Sequence, residues 1–363
     1  MTYKVSNTNA INGDNFATSF NKIIVRDIRR PTAINFSGDL YAFTSFTFTT
    51  GGQTGYAGGN LTQFKASYNT STYPWLNDTS FYNVTTLGFQ LWTVPKTGTY
   101  TMFVSGAGGG QGGTYSNNND TVHAGHGAIL TFSRAFTKGH VISIAVGHKG
   151  ESGSSTSSCG LGSGGGGGGT WVYNTTASQL IAVAGGGGGA GNDSGASSNY
   201  QPDGQNSNDG GHADSTASGG VPGGTAGTGG TSAFSSTHGC VRGGAGGGGY
   251  LGSGTTGSYI NLSRSGRPGN GYSVTNPLQG GIPPFGNGGA EAGGFGGGGS
   301  SGYYCGGGGG GYSGGAGGGL ASCSCSNLSG GGGGGSYYID GLGSASFSLQ
   351  STFQTDGYVA VSI

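Results

Sequence analysis

The stretch QLIAVAGGGGGAG at residues 179–191 decides the fold, because a strand-like segment runs directly into glycine. Residues 179–184 are rich in branched apolar side chains, which is typical of a buried strand. The glycines that follow can form an extended polyproline II helix, which has three residues per turn and no internal hydrogen bonds. Each glycine N–H and C=O group must then bond to a neighbouring segment or to water. The junction predicts a chain that passes from a β-sheet into a bundle of glycine helices.

The same pattern recurs along the chain, which contains 91 glycines in 363 residues. The other glycine runs are 106–113, 164–169, 243–249, 293–299, 306–311, 314–319 and 330–335. Packed side by side, such runs could supply one another's backbone partners, and only glycine allows the close approach, as at the axis of collagen. The alternatives are flexible low-complexity linkers or a polymer that phase separates. Aromatic residues make up 11% of the chain and charged residues only 7%, and the runs end at strand-like segments, which favours packed helices.

Period-two alternation of apolar and polar residues predicts β-strands between the runs. The predicted strands are 44–50, 88–95, 99–105, 128–132, 140–146, 179–184, 346–349 and 358–363, with one more at 22–26. Strands 88–95 and 99–105 are separated by three residues and are predicted to pair as a hairpin. Residues 61–68 are the one plausible helix. The sequence therefore predicts an all-β fold with little or no α-helix, a β-sandwich or jelly roll fused to the glycine bundle.

Two regions follow from this organisation. Residues 1–40 form an N-terminal segment in which charged residues are concentrated, and Arg26, Arg29 and Arg30 are the candidate assembly residues. A solvated strand and turn would explain the same charges. Residues 41–363 form the sandwich with the inserted bundle, mainly at 106–127 and 150–335.

The motifs of residues 41–363 resemble a known family. The similarity is carried by GFQLWTVPKTGTYTMFVSGAGGGQGG at 88–113, VISIAVGHKGE at 141–151, LIAVAGGGGGA at 180–190, CGGGGGGYSGG at 305–315 and DGYVAVSI at 356–363. They resemble the extracellular glycine-rich region of the anaplastic lymphoma kinase and leukocyte tyrosine kinase receptors. This resemblance implies a tumour-necrosis-factor-like sandwich with a hexagonal bundle of glycine polyproline II helices. The chain departs from that family in having no kinase and different cysteines, so receptor signalling is not carried over. A second, architectural resemblance is to glycine-rich tail-tip adhesins of tailed bacteriophages.

The amino-acid composition argues against nucleic acid and membranes as binding partners. Thirteen Lys and Arg residues balance thirteen Asp and Glu residues, so no basic face for nucleic acid is expected. No run of about 18 apolar residues is present, which argues against membrane insertion. The N-terminus lacks the features of a secretory signal. We expect a protein that is made in the cytoplasm and leaves the cell as part of a virion.

No motif nominates a catalytic site, a cofactor or a metal. His123, His126, His140 and His148 lack the spacing of a metal site, and Asp193, Asp203, Asp209 and Asp214 lack that of a calcium loop. The five cysteines, Cys159, Cys240, Cys305, Cys323 and Cys325, fit neither a disulfide framework nor a zinc site. We interpret them as small buried thiols or incidental bridges, and we expect no enzymatic activity.

Binding is instead expected on the long polar loops between glycine runs. Tyrosine among serine, glycine and asparagine is the composition of adaptable binding loops. The candidate receptor-binding residues are Tyr200, Tyr250, Tyr259, Arg264, Arg267 and Tyr272. Equally, these tyrosines could only cap the bundle while the loops reverse its direction.

The sequence thus predicts a non-enzymatic virion protein, a tail fibre, spike or adhesin that recognises a host surface glycan or an outer-membrane protein. We expect a homotrimer that contacts other virion proteins through residues 1–40. A capsid or tail decoration protein without a receptor, an ice-binding protein and a receptor-like ligand-binding module remain alternatives.

Overall fold

A computed structural model describes residues 38–112, 124–153, 162–191, 200–214, 221–232, 243–257, 266–283, 290–302, 305–319 and 329–363. The chain divides into Met1–Asp39 and Leu40–Ile363, and the account below concerns the second unit. The predicted strand at 22–26 and the candidate assembly residues Arg26, Arg29 and Arg30 lie outside the described residues. The assignment of residues 1–40 to assembly stays a prediction.

The described residues contain eleven strands in two antiparallel sheets, which confirms the all-β prediction. The strands are β1 Ser45–Phe48, β2 Tyr82–Thr86, β3 Phe89–Thr93, β4 Gly98–Ser105, β5 Ala128–Phe136, β6 Val141–Ala145, β7 Thr170–Asn174, β8 Gln179–Ala184, β9 Tyr337–Tyr338, β10 Ser346–Leu349 and β11 Tyr358–Ser362. One sheet has the order β1-β11-β4-β5-β10, and the other has the order β2-β3-β6-β7-β8-β9.

The hydrophobic core lies between the two sheets. Alternate residues of each strand point inward, so Phe48, Met102 and Leu130 of one sheet join Trp92 and Ile144 of the other in one buried cluster. All five side chains are fully buried, and side chains of this size contribute about 1.5–3 kcal/mol each when removed from water. The two sheets therefore form a sandwich.

One α-helix, α1, covers Leu61–Ser67, as the sequence predicts. A capping box starts it: the Asn60 side chain accepts from the Gln63 N–H, and the Gln63 side chain accepts from the Asn60 N–H. Phe64 is its buried residue and packs into the sandwich core. Short 3₁₀ turns occupy Pro74–Asn77 and Leu342–Ser344. Of the helices in the described residues, none has the length and apolar character needed to cross a bilayer.

The predicted hairpin of residues 88–95 and 99–105 is wrong. β3 pairs with β2 and β6, whereas β4 pairs with β5 and β11 in the other sheet. The turn between β3 and β4 thus carries the chain across the sandwich. Both strands have apolar residues that fill the same core, and they do so from opposite sides because the Val94 N–H and C=O groups bond to His140 and Gly139 rather than to β4.

The glycine runs lie outside the strands and bond to one another through their backbones. In the run 185–190, Gly186 and Gly189 donate to Gly310 and Gly307 of a single neighbouring run. The next residue after each of these two glycines donates to a second neighbouring run, 106–112. The N–H groups of Gly187 and Ala190 donate to Ala107 and Gly110. The bonding pattern therefore repeats every three residues.

The direction in which a side chain would point from each glycine of this run also repeats every three residues. A Cβ added to Gly185 or Gly188 would overlap the backbone of run 329–335, and one added to Gly186 or Gly189 would overlap run 162–169. A Cβ on Gly187 would overlap Gly125.

Six described segments contact run 185–190, counting both those that share a backbone hydrogen bond with it and those that a Cβ on it would overlap. The segments are 106–112, 124–127, 162–169, 200–204, 305–311 and 329–335. Three residues per turn is the period of the polyproline II helix. The contacts show packed runs with this period, and the hexagonal arrangement and the helix type stay predictions.

Candidate binding surface

The outer face of the six-stranded sheet is covered by the glycine bundle. One row of paired residues crosses this face from β2 to β9: Thr86, Phe89, Ala145, Trp171, Val183 and Tyr337. The four residues in the middle of this row are buried, although they point away from the sandwich core. Leu278 and Phe295 from the bundle pack against them in a second hydrophobic cluster. Five strand-to-strand steps of about 4.8 Å give this row a length of roughly 24 Å.

Five tyrosines lie along this row and form what we call the aromatic strip. They are Tyr173, Tyr250, Tyr272, Tyr312 and Tyr337, all partly buried. Each ring lies close to the next one along the strip. The distances between ring centroids are 5.5 Å for Tyr173 and Tyr272, 5.6 Å for Tyr272 and Tyr250, 6.0 Å for Tyr250 and Tyr312, and 4.6 Å for Tyr312 and Tyr337. Buried Trp171 stacks on Tyr272 at 5.4 Å and on Tyr250 at 6.4 Å.

Backbone hydrogen bonds hold the strip in place. The Tyr250 N–H donates to the Tyr312 C=O at 2.7 Å, and the Tyr312 N–H donates to the Gly335 C=O at 2.8 Å. The Tyr272 N–H donates to the Gly249 C=O at 3.0 Å. Because both backbone and rings are fixed before any ligand arrives, a partner that docks here would order few side chains.

Burial raises the pKa of Tyr250, Tyr272 and Tyr337, and nearby tyrosines add to the effect. The phenols therefore stay neutral across the physiological pH range. A neutral phenol hydroxyl can both donate and accept a hydrogen bond, and its ring offers an apolar surface.

A cleft of about 250 Å³ lies at the β2 end of the row. We call it the Leu87 cleft; its lining residues are Ala57, Gly58, Thr86, Leu87, Asn276, Pro277, Gln279 and Phe295. None of these side chains is ionisable. The Phe295 ring lies 6.2 Å from the Phe89 ring, which in turn lies 6.0 Å from that of Tyr272, so aromatic contacts connect the cleft to the strip.

The walls of the Leu87 cleft are rigid. Gly88 has φ +83° and lies so close to the Phe295 ring that a Cβ at this position would overlap it. Asn276, which lines the cleft, and Leu278, which is buried next to it in the chain, adopt left-handed φ values of 54° and 60°. Non-glycine residues rarely adopt this conformation, and it often marks functional sites.

A second cleft of about 380 Å³ shares Gln279 with the first. Arg267 lines it together with Asn270, and the Asn270 side chain donates to the Asn276 C=O at 3.0 Å. Arg267 is exposed, and its backbone N–H donates to Ser300 Oγ at 2.7 Å.

The structure brings together part of the predicted receptor-binding set. Tyr250 and Tyr272 meet in the strip, and Arg267 lies in the neighbouring cleft. Tyr200 lies elsewhere: its hydroxyl is buried next to Gly330 and has no hydrogen-bond partner in the described part of the chain. Tyr259 and Arg264 fall outside the described residues.

Sequence reasoning missed Tyr173, Tyr312 and Tyr337 as binding candidates, although a signal was present. Each follows the end of a glycine run within four residues, as Tyr250 does. Because several runs end at the same side of the sheet, tyrosines at these positions converge. Leu87 and Phe295 carried no comparable signal, since their proximity depends on how the bundle docks.

The groups best suited to chemistry are not among the residues of the aromatic strip or the Leu87 cleft. A cleft of about 440 Å³ is lined by Glu151 and Glu291, the only glutamates of the sequence, and by Lys149. Cys305 is buried, and burial raises its thiol pKa to about 12, which makes the thiolate scarce. Among the described residues, no group of three or more His, Cys, Asp or Glu side chains could hold a metal ion.

The arrangement of rings, amides and hydroxyls on this face is suited to binding. Comparison with known proteins assigns no family to the chain: no family model matches the sequence, and no significant relative is found among curated proteins.

Proposed function

We propose that the chain is a non-enzymatic attachment protein of a bacteriophage-type virion and that the aromatic strip is its host-contacting surface. Residues 1–40 join it to other virion proteins, and it works as a homotrimer. The ligand is a host surface glycan or an outer-membrane protein.

The observation that carries the proposal is the convergence of five partly exposed tyrosines on one fixed frame. Two come from the sheet, Tyr173 and Tyr337, and three from the ends or loops of glycine runs. Monomeric proteins rarely keep large apolar patches on their surface, and those they keep are often binding sites. Tyrosine supplies both apolar area and a polar group at low entropic cost.

The glycine bundle supports the same role mechanically. Glycine runs whose N–H groups are bonded to neighbouring runs at 2.7–3.2 Å present no free N–H group along those bonds for a protease to bind. A virion protein must hold its binding face outside the cell without chaperones, and a bundle of this kind would do so.

A decoration protein is the second candidate, because the same tyrosines could be covered by another subunit. An ice-binding surface is less well supported, since the strip presents aromatic rings rather than a regular row of threonines.

The test is binding of labelled, purified protein to a panel of bacterial cells, intact or stripped of surface polysaccharide. The key variant is Tyr250→Ala combined with Tyr312→Ala. Its partner is Tyr250→Phe combined with Tyr312→Phe, which keeps the rings and their packing. The control is Phe103→Ala, because Phe103 is 42% exposed on the other sheet.

We expect saturable binding that the alanine pair loses and that Phe103→Ala retains. Circular dichroism must show that each variant is folded. A folded wild-type protein that binds no cells would overturn the attachment role. Immunogold labelling of particles purified from the source tests the virion assignment separately, and unlabelled particles would overturn it.

A further inference from the structure

We infer that the Leu87 cleft, together with the adjoining Tyr272 end of the strip, binds a neutral sugar ring of an oligosaccharide. The inference rests on the proposed attachment function and assigns its ligand class. Four properties of the cleft support it: its size, its lining, its charge and its rigidity.

The size of the cleft suits a single ring. Its volume of about 250 Å³ is below the range of about 300–1,000 Å³ found for pockets that enclose drug-sized ligands. One pyranose ring would fill it. The half-buried Tyr272 ring lies on the far side of buried Phe89, 6.0 Å from the Phe89 ring, and offers the nearest aromatic surface for a second ring of the chain.

The lining of the cleft matches the two faces of a sugar. A pyranose has an apolar face of C–H groups and a rim of hydroxyls. Leu87, which is 58% exposed, together with Ala57 and Pro277 provides apolar surface, and the edge of the buried Phe295 ring completes the lining. Asn276, Gln279 and Thr86 provide amide and hydroxyl groups, which can both donate and accept hydrogen bonds.

The charge of the cleft favours a neutral ligand. None of its eight lining residues is ionisable, so it offers no ion pair to a sialic acid, a uronic acid or a sulfate. Arg267 lines the neighbouring cleft, which shares only Gln279 with this one, and the buried His148 ring packs on Phe295 without lining the cleft.

The rigidity of the cleft lowers the entropic cost of binding. Gly88 holds the Phe295 ring in place, and the His148 ring packs against that ring at 5.4 Å. The left-handed Asn276 is fixed from behind, because the Asn270 side chain donates to its C=O group. Neutral sugars bind weakly, so a preformed site is what such a ligand needs.

The test uses the full chain and a panel of neutral oligosaccharides, with sialylated and sulfated ones beside them. Saturation-transfer NMR detects weak binding and shows which sugar ring touches the protein. The diagnostic variant is Asn276→Gly, which removes the amide while glycine keeps the left-handed backbone. Gln354→Gly is its matched control, because Gln354 is also a left-handed amide residue, with φ 56°, and lies outside the cleft.

We expect a neutral oligosaccharide to bind the wild type, and Asn276→Gly to weaken it at least fivefold, the effect of losing about one hydrogen bond. Leu87→Ala should also weaken binding, and Gln354→Gly should leave it unchanged. Equal loss in both glycine variants, or binding of anionic sugars alone, would overturn the site. If cells bind but no neutral sugar does, the ligand class is wrong and attachment stands; if neither binds, both proposals fail.

Discussion

Gly88 and Gly139 have the same backbone conformation in different surroundings. Both have φ +83°, in the left-handed region that favours glycine. Gly139 has no atom within 4 Å of the place where a Cβ would be, whereas Gly88 is blocked by the Phe295 ring. Alanine at Gly139 would therefore carry only the backbone strain of a left-handed φ, whereas alanine at Gly88 would add a steric overlap with the Phe295 ring.

Gly139→Ala should therefore lower the free energy of unfolding by about 1 kcal/mol, the cost of left-handed alanine alone. Gly88→Ala should lower it by roughly 3 kcal/mol or more, because overlap with a buried ring adds about 1–3 kcal/mol. Urea unfolding of both variants measures the difference. Equal losses would contradict the close contact between Gly88 and Phe295.

His148 is a buried histidine that links the sandwich to the bundle. Its Nδ1 lies 3.0 Å from the Gly55 C=O, and its ring packs on Phe295. Burial lowers the pKa of His148, although the Asp356 carboxylate opposes this effect. The unfolded chain therefore binds a proton more readily than the folded one does.

Stability from His148 should be fully present above pH 6.5 and should fall as the pH drops below that value. The slope for one proton is at most about 1.4 kcal/mol per pH unit. His148→Asn, which keeps a donor for Gly55, should reduce the loss of thermal stability between pH 7.5 and pH 5. Melting curves at both pH values test this, and an unchanged loss would show that another group is responsible.

At the scale of elements, the sequence predicts strands well and their partners poorly. The segments 179–184 and 346–349 match β8 and β10 at both ends, because alternation is a local property. β2, β7 and β9 are not among the predicted strands. β9 has only two residues, and the β2 sequence YNVTT is mostly polar. The wrong hairpin between β3 and β4 has the same origin. Which sheet a strand joins depends on how the whole core is filled.

The glycine runs are the elements least tolerant of a side chain. A Cβ on Gly188 would lie 1.9 Å from the Gly331 carbonyl oxygen, far inside van der Waals contact, and the blocking atoms are backbone, which cannot rotate away as a side chain can. Gly252 is the matched position, since no atom lies within 4 Å of its Cβ site.

We expect Gly188→Ala to cost more than about 4 kcal/mol, the range of severe core disruption, or to abolish folding. Gly252→Ala should be neutral or slightly stabilising, since alanine restricts the unfolded chain. Yield and chemical denaturation compare the two. A stable Gly188→Ala protein would contradict the close packing of runs 185–190 and 329–335.

At the scale of the whole molecule, sandwich and bundle are joined by the chain and by hydrogen bonds. β4 and β8 each run directly into a glycine run, and the Ala128 N–H at the start of β5 donates to Gly185. Residues Leu40–Ile363 form one compact unit. The candidate surface depends on this union, because the strip combines sheet tyrosines with bundle tyrosines. Sequence could nominate Tyr250 and Tyr272, but only docking of the bundle on the sheet reveals their neighbours.

Sandwich and bundle should consequently unfold in one transition. Hydrogen exchange of the amides that pair β4 with β5 reports on the sandwich, and that of the amides in run 185–190 reports on the bundle. Both should give the same midpoint in denaturant. Two separate midpoints would show that the bundle has a stability of its own.

The overlap that a Cβ would meet at glycine after glycine limits how this protein can change. In an ordinary core, one side chain can be exchanged for another of similar volume, and the fold drifts by small repacking steps. A core built of main chain offers no such exchange, since almost any substitution adds an atom where a carbonyl oxygen already lies. Heritable variation is thus directed to loop positions such as Gly252, where a Cβ would meet no atom within 4 Å. The main-chain core stays fixed while the loops that join its runs are free to diverge.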